Sequence, residues 1–199
     1  MTYDYQRFLD EKLRALSAAD GVVLDVGGGE RFGKDLARYR ELFSHTDYKT
    51  LDVEPRYHPD IAATIYAIPV ADNAIGAIIC KSVLEHLEEP ERAVREMRRV
   101  LEPGGKILLY VPFIYPYHAR PGVYRDYFRF SEDALRYFFR DFASVEIQKV
   151  GGYFRALMFF LPYQHRLKVV LEPVAYVLDT LFRRERGSTT AGYYLYAVK

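Results

Sequence analysis

The sequence predicts one α/β domain, built on a mostly parallel sheet of seven strands that is antiparallel at one edge and covered by helices on both faces. Three observations carry this. Short β-branched runs alternate with stretches whose apolar residues recur at helical spacing. A glycine run ends the first strand, and an acid ends the second. The last two strands have no regular crossover between them, which suggests the antiparallel edge. At 199 residues the chain is expected to be a single domain, residues 1–199, with a helical insertion at about 153–186.

Each element has its own signal. Tyr5, Phe8, Leu9, Leu13 and Leu16 share one face of a helix over Asp4 to Ala19, and Gly21 ends it. VVLDV, Val22 to Val26, is a buried strand. After Gly27 to Glu30, the residues Phe32, Leu36, Tyr39, Leu42 and Phe43 fall at helical spacing. Tyr48 to Val53 is the second strand, Ile61 to Tyr66 a weak third, and Ala74 to Cys80 the fourth. Pro90 suits the first position of a helix that runs over Glu91 to Leu101 and stops at Pro103-Gly104-Gly105. Lys106 to Val111 is the fifth strand. Ser131 caps a helix through Arg140, and Ser144 to Val150 and Gly192 to Lys199 are the final strands. Within the insertion Tyr153 to Arg186, an apolar stripe crosses Pro173, which is expected to kink or divide the helix.

Composition excludes several classes of protein. Twenty-eight Lys and Arg against 27 Asp and Glu leave a net charge of +1, so no bulk drive toward nucleic acid or an anionic membrane exists. One cysteine, Cys80, excludes an internal disulfide framework and fits a cytoplasmic protein. No signal-like or spanning apolar run stands out. Aromatics make up 16% of the chain, with 18 Tyr, 13 Phe and no Trp, which suggests an aromatic-lined cleft or a core filled by large rings.

In a sheet of this type, ligands bind beyond the carboxyl ends of the strands. That directs attention to Gly27, Gly28 and Gly29, where backbone N–H groups can approach a ligand, and to Asp52, which can accept hydrogen bonds from ribose hydroxyls. A phosphate-binding P-loop does not fit: in GGGERFGKD, Asp35 stands where Ser or Thr would hold magnesium. A nicotinamide-dehydrogenase fingerprint does not fit either, because Phe32 occupies the position of its third glycine.

The succession VVLDVGGGE, LDVEP, LEH and RRVLEPGGKILLYVP resembles the class I S-adenosylmethionine-dependent methyltransferases, most closely the methyltransferase type 11 kind. The resemblance covers about Val22 to Phe130 and implies a Rossmann-like fold with S-adenosylmethionine as cofactor. It implies that Asp25, Gly27 and Gly29 surround the amino-acid part of the cofactor, that Asp52 binds the ribose, and that Val53 flanks the adenine. Lys81, Ser82 and His86 would face the sulfonium and the substrate. Three positions depart from the family pattern: Arg31 replaces a loop glycine, Thr64 or Ile65 stands where an adenine-binding acid is common, and Ile75-Gly76 replaces Phe-Asp. These departures motivate a second reading, a methyltransferase-like binding or scaffold protein without turnover.

The substrate side falls in Tyr115 to Phe130, YPYHARPGVYRDYFRF. Aromatic faces stack on rings, and arginine forks carboxylate or phosphate, so Tyr117, His118, Arg125, Tyr127 and Arg129 are the acceptor-binding candidates. H-x-x-P followed by D-Y-x-R-F resembles a subgroup often found near polysaccharide or lipid-sugar genes, which implies a small-molecule or glycan acceptor. Methylation of a hydroxyl benefits from a general base, and His86 and His118 are the candidates. His45, His58 and His165 have no companion and read as surface residues. No H-x-x-x-H pair or acid-flanked histidine cluster occurs, so no metal site is expected. In the insertion, Arg166, Lys168, Arg183, Arg184 and Arg186 flank the apolar stripe, which reads as a lid or homodimer contact in preference to a membrane-surface helix.

Overall fold

The structure is a computed structural model that describes residues 3–33, 35–162, 164–182 and 187–199. Lys34, Arg183, Arg184 and Arg186 lie outside them, as do the side chains of His165 and Lys168. The elements are α1 (Asp4–Ser17), β1 (Val22–Val26), β2 (Asp47–Asp52), β3 (Ile61–Ala62), β4 (Ile75–Lys81), α2 (Pro90–Val100), β5 (Leu101–Pro112), α3 (Glu132–Phe138), β6 (Ser144–Lys149), α4 (Tyr153–Met158), α5 (Gln164–Leu181) and β7 (Gly192–Val198).

The seven strands form one sheet in the order β3-β2-β1-β4-β5-β7-β6. Strands β1 to β5 pair in parallel, and β7 runs antiparallel to both β5 and β6. The antiparallel pairing therefore occupies the β6 edge, with β7 one place in. Strand order reverses between β1 and β4, which opens a crevice above their carboxyl ends. Both sheet faces are covered. On one, Ala93, Val94, Met97 and Val100 of α2 pack onto β4 and β5; on the other, Leu9, Leu13 and Leu16 of α1 pack against Val23, Ala77 and Ile79.

Four elements differ from the sequence reading. Among the described residues between β1 and β2 no α-helix forms, and a 3₁₀ segment, Ala37–Phe43, takes its place. Phe32 and Asp35 hold left-handed backbone (φ 58° and 70°), which breaks a helix, and the Phe32 ring stacks on Tyr48 at 4.3 Å. The weak third strand shrinks to Ile61–Ala62, as Thr64 to Ala67 turn away from the sheet. Strand β5 starts at Leu101, paired with Ile75, and Pro103 to Gly105 absorb the register shift before Lys106 pairs with Ala77. Pro173 lies inside α5 without dividing it.

Gly76 explains one family departure. An added Cβ there would overlap the Asp20 carbonyl, so β4 passes against the α1–β1 turn in a space no side chain fits. The position is at the opposite end of the strand from the crevice.

A buried carboxylate ties the insertion to the domain. Asp179, on α5, accepts from Gly152 N and Phe154 N (both 2.9 Å) and from Arg155 N (3.3 Å), and so caps the amino end of α4. The Tyr3 hydroxyl donates to the same carboxylate at 3.4 Å, which joins α4 and α5 to the segment leading into α1. Among the described residues, no helix is long and apolar enough to cross a membrane.

Asp179→Ala removes these acceptors from a fully buried position and is expected to cost about 2–3 kcal/mol. Urea denaturation and limited proteolysis within residues 153–182 check this. A variant as resistant as the parent contradicts the capping role.

Candidate functional site

A cleft of ≈1710 Å³ lies over the carboxyl ends of β1, β2, β4 and β5. Its floor at one end is the glycine loop. Gly27 N donates to Leu51 O at 2.7 Å, and Gly29 N donates to the Asp52 carboxylate at 3.0 Å. Gly27 adopts φ +62°, and a Cβ there would stand 2.6 Å from Val83 Cγ2. The loop is thus wedged between β2 and the segment after β4.

Two aspartates divide the work beneath it. Asp25 is buried, receives the Tyr48 hydroxyl at 2.7 Å, and lies where a Cβ on Gly28 would collide with its carboxylate. It supports the loop from below and does not line the cleft, unlike Gly27, Gly28 and Gly29. Asp52 does line it, while also accepting from Glu54 N at 2.9 Å. Each Asp52 oxygen keeps a further acceptor lone pair for a ligand hydroxyl. Beside it Val53 is 71% exposed, offering an apolar face. Lys81 and Ser82 line the centre of the cleft, and Ser82 N is bonded to Tyr110 O at 2.9 Å. Cys80, one residue earlier, is buried.

Arg31, the departure within the loop, points away. It donates to the Tyr48 carbonyl, stacks over the Tyr48 ring and pairs with Asp60 at 3.5 Å. Asp60 also accepts from Thr50 N and Thr50 Oγ1, and these bonds hold its carboxyl below the usual range against the effect of burial. Neither Arg31 nor Asp60 reaches the cleft; Thr64, the remaining departure, does.

The other end of the cleft is built from a turn and the aromatic loop. Leu84–His86 forms a 3₁₀ turn after β4, and Glu85 O accepts from Tyr127 N (2.8 Å) and Phe128 N (3.2 Å). The loop is therefore stitched to the turn by backbone. His86 Nδ1–H donates to Arg125 O at 2.6 Å, because a carbonyl can only accept. His118 Nδ1 lies 3.2 Å from both Pro116 O and the Asp126 carboxylate. The two imidazoles meet edge to face, with centroids 5.0 Å apart. Their Nε2 atoms lie 3.8 and 3.9 Å from one oxygen of Glu85, whose side chain is fully buried. Spacing in the sequence gave no hint of this acid-and-two-histidine group, since His118 arrives from another strand's loop.

Of the acceptor-binding candidates, Tyr117, His118, Arg125 and Tyr127 line the cleft. Arg129 does not line it. Its guanidinium forks Asp126 at 2.5 and 2.8 Å and donates to Tyr115 O and Pro116 O, so it braces the loop from behind. The Arg129 fork, and then the His118 backbone N–H, hold the Asp126 carboxyl down at about 2 although burial opposes this. The sequence reading also missed Tyr5, Arg155 and Glu172, which close one wall from α1, α4 and α5. Arg155 is buried, paired with Glu172, and sits over the Tyr5 ring at 5.0 Å. A cation inside the otherwise apolar FRALMFF was the available signal.

Residues 24–109 match the family described as a methyltransferase domain. The strand order is that of the class I S-adenosylmethionine-dependent methyltransferase fold, and the glycine loop, Asp52 and Val53 fit its cofactor, with side-chain-free backbone, an acid and an apolar face along one end of the cleft. An uncharacterised methyltransferase of Mycobacteroides abscessus is 34% identical over 109 residues, which cover 48% of this chain and 41% of the relative. A crystal structure of a SAM-dependent methyltransferase from Archaeoglobus fulgidus matches with a TM-score of 0.65 at 14% identity, over 98% of this chain and 93% of that one. Phosphoethanolamine N-methyltransferase 2 of Haemonchus contortus, solved with S-adenosyl-L-methionine, matches with a TM-score of 0.60 at 13% identity, over 95% of this chain and 52% of that one. At such identities the structural likeness is one of fold. The chain spans about half the length of the curated relatives it matches.

Because the folded Asp126 carboxyl is depressed to about 2 from an ordinary 3.8, its contribution to stability is complete above about pH 4 and is lost as pH falls through 2. Asp126→Asn is expected to be less stable than the parent by about 2 kcal/mol at pH 6, with the gap closing toward pH 2. Denaturation midpoints across that range test this; a gap unchanged at pH 2 contradicts it.

Proposed function

We propose that this protein transfers a methyl group from S-adenosylmethionine to a hydroxyl of a small molecule or glycan. The observation that carries the reading is the two-ended cleft: a glycine loop and an acid at one end, a pair of histidines among aromatic side chains at the other. When bound, the cofactor supplies a methyl group on a sulfonium, which needs no further activation.

In this reading the residues divide into three tasks. Gly27, Gly28 and Gly29 line the amino-acid part, Asp52 accepts from the ribose hydroxyls, and Val53 covers the adenine; Asp25 keeps the loop in shape. Lys81 and Ser82 sit between the two ends. Tyr117, Arg125 and Tyr127 position the acceptor, with Tyr124, whose ring lies 4.3 Å from His86, adding a further aromatic face. With each Nδ1 turned to an oxygen acceptor, the Nε2 of His86 or His118 is the lone pair that takes the acceptor's proton. Positioning and exclusion of water supply the rest of the rate.

The scaffold reading draws less support than the enzyme reading. Arg31 and Gly76 are accounted for by packing away from the cleft, which leaves only Thr64 as a departure at the site. Exposed Leu167, Val170, Val174, Val177 and Leu181 on α5 support a homodimer contact through the insertion more than a membrane contact, because the net charge is only +1.

Isothermal titration with S-adenosylhomocysteine tests the reading. Micromolar binding is expected, weakened at least about 100-fold in Asp52→Ala, with NAD giving no heat. Equal affinity in parent and variant contradicts the ribose role, and absence of binding to the parent contradicts the enzyme reading. His86→Ala and His118→Ala are expected to keep affinity for S-adenosylhomocysteine while the variant lacking the base loses turnover.

A further inference from the structure

The geometry points to a divalent metal site at Glu85, His86 and His118, facing the acceptor end of the cleft. We propose that these three side chains bind a transition-metal ion of the zinc class in the two-histidine, one-carboxylate manner.

Four observations carry it. The three potential ligand atoms lie within 4.8 Å of one another. Both histidines aim Nε2 at the same Glu85 oxygen, at 3.8 and 3.9 Å. Donor atoms around a tetrahedral zinc with bonds of about 2.0–2.1 Å sit roughly 3.4 Å apart, so each histidine–carboxylate gap closes on an ion by about half an ångström and the widest of the three gaps by no more than about 1.4 Å. Second, both Nδ1 atoms are held by oxygen acceptors: Arg125 O for His86, and Pro116 O with Asp126 for His118. That fixes the tautomer in which Nε2 carries the lone pair, and the Asp126–His118 pair repeats the carboxylate–histidine arrangement found behind metal ligands. Arg129, also 3.4 Å from His118 Nδ1, keeps Asp126 in place.

Third, the donor set suits the ion. Two neutral imidazoles and one carboxylate supply a single negative charge, borderline-soft nitrogen and a hard oxygen, a mixture that zinc, cobalt and iron(II) accept and that calcium and magnesium do not favour. Fourth, the frame is set in advance. The turn bearing Glu85 and His86 is bonded through Glu85 O to the loop bearing His118, and the site opens on the cleft, which provides an entry path.

Three protein ligands leave a position open toward the cleft, as in catalytic zinc sites. An acceptor hydroxyl bound there would become more acidic and release its proton to solvent, so the ion would replace a histidine as the activating group. That role rests on the proposed methyl transfer; the binding of the ion does not. Sequence spacing predicts no such site, because its ligands come from two loops separated by strand β5.

The experiment uses cobalt(II) as a spectroscopic probe on the chelator-stripped full chain, with zinc(II) competition. One cobalt per chain, visible d–d absorption of a low-coordinate site and displacement by equimolar zinc are expected. Glu85→Gln, His86→Ala and His118→Ala should each weaken binding by more than the roughly 10–100-fold typical of losing an outer-shell partner, and His45→Ala at an exposed position should not. Titration of the same variants with S-adenosylhomocysteine keeps the two readings apart: cofactor affinity within about threefold of the parent shows that the cleft is folded. No stoichiometric cobalt or zinc at micromolar concentration overturns the proposal. So does metal binding that survives His118→Ala.

Discussion

The cleft depends on how one loop is held. Gly27 to Gly29 leave β1 through a gap with Asp25 beneath, Val83 beside and Asp52 at the far end. No α-helix follows among the described residues to anchor the loop with its first turn, so side-chain carboxylates do that work. The Asp52–Gly29 bond joins the ends of β1 and β2, and Asp25, fixed by Tyr48, prevents the loop from sinking into the sheet. A charged acceptor bonded to backbone N–H is worth more than a neutral one, and in a half-buried position it also orders the chain. The residue that would bind ribose is therefore also a residue that shapes the cleft.

The same economy of parts recurs at the acceptor end. Asp126 serves Arg129, the His118 backbone and the His118 ring together, so loop shape and imidazole orientation have one origin. Arg129 braces from outside, and Arg155 on α4 closes the opposite wall through Glu172 on α5. Asp179 then ties that wall to the start of the chain. Three carboxylates, each bonded to several backbone N–H groups or to an arginine, thus set the geometry of a surface whose rings alone would not specify it.

Much of the fold was legible because its signals are local. VVLDV and IGAIIC are apolar runs of strand length that central parallel strands require, and Pro90 and Ser131 mark helix starts through backbone chemistry that needs no tertiary context. The helix expected after β1 was not: Phe32 and Leu36 fit the period, but left-handed backbone at Phe32 and Asp35 and the stacking of Phe32 on Tyr48 decide otherwise. At the site, Asp52 could be found from its place at a strand end, whereas Asp25 and Arg129 face away from the cleft for reasons that only packing supplies. The meeting of Glu85 and His86 with His118 is tertiary, and no spacing rule within a single segment could find it.

In the proposed reading, recognition of the cofactor's ribose rests on Asp52. A crystal structure with S-adenosylhomocysteine tests this most directly. Both ribose hydroxyls are expected within hydrogen-bond distance of the Asp52 carboxylate, with the adenine against Val53 and the sulfur between the glycine loop and His86. A ligand bound elsewhere, or one whose ribose leaves Asp52 bonded to Gly29 and Glu54 alone, would contradict it.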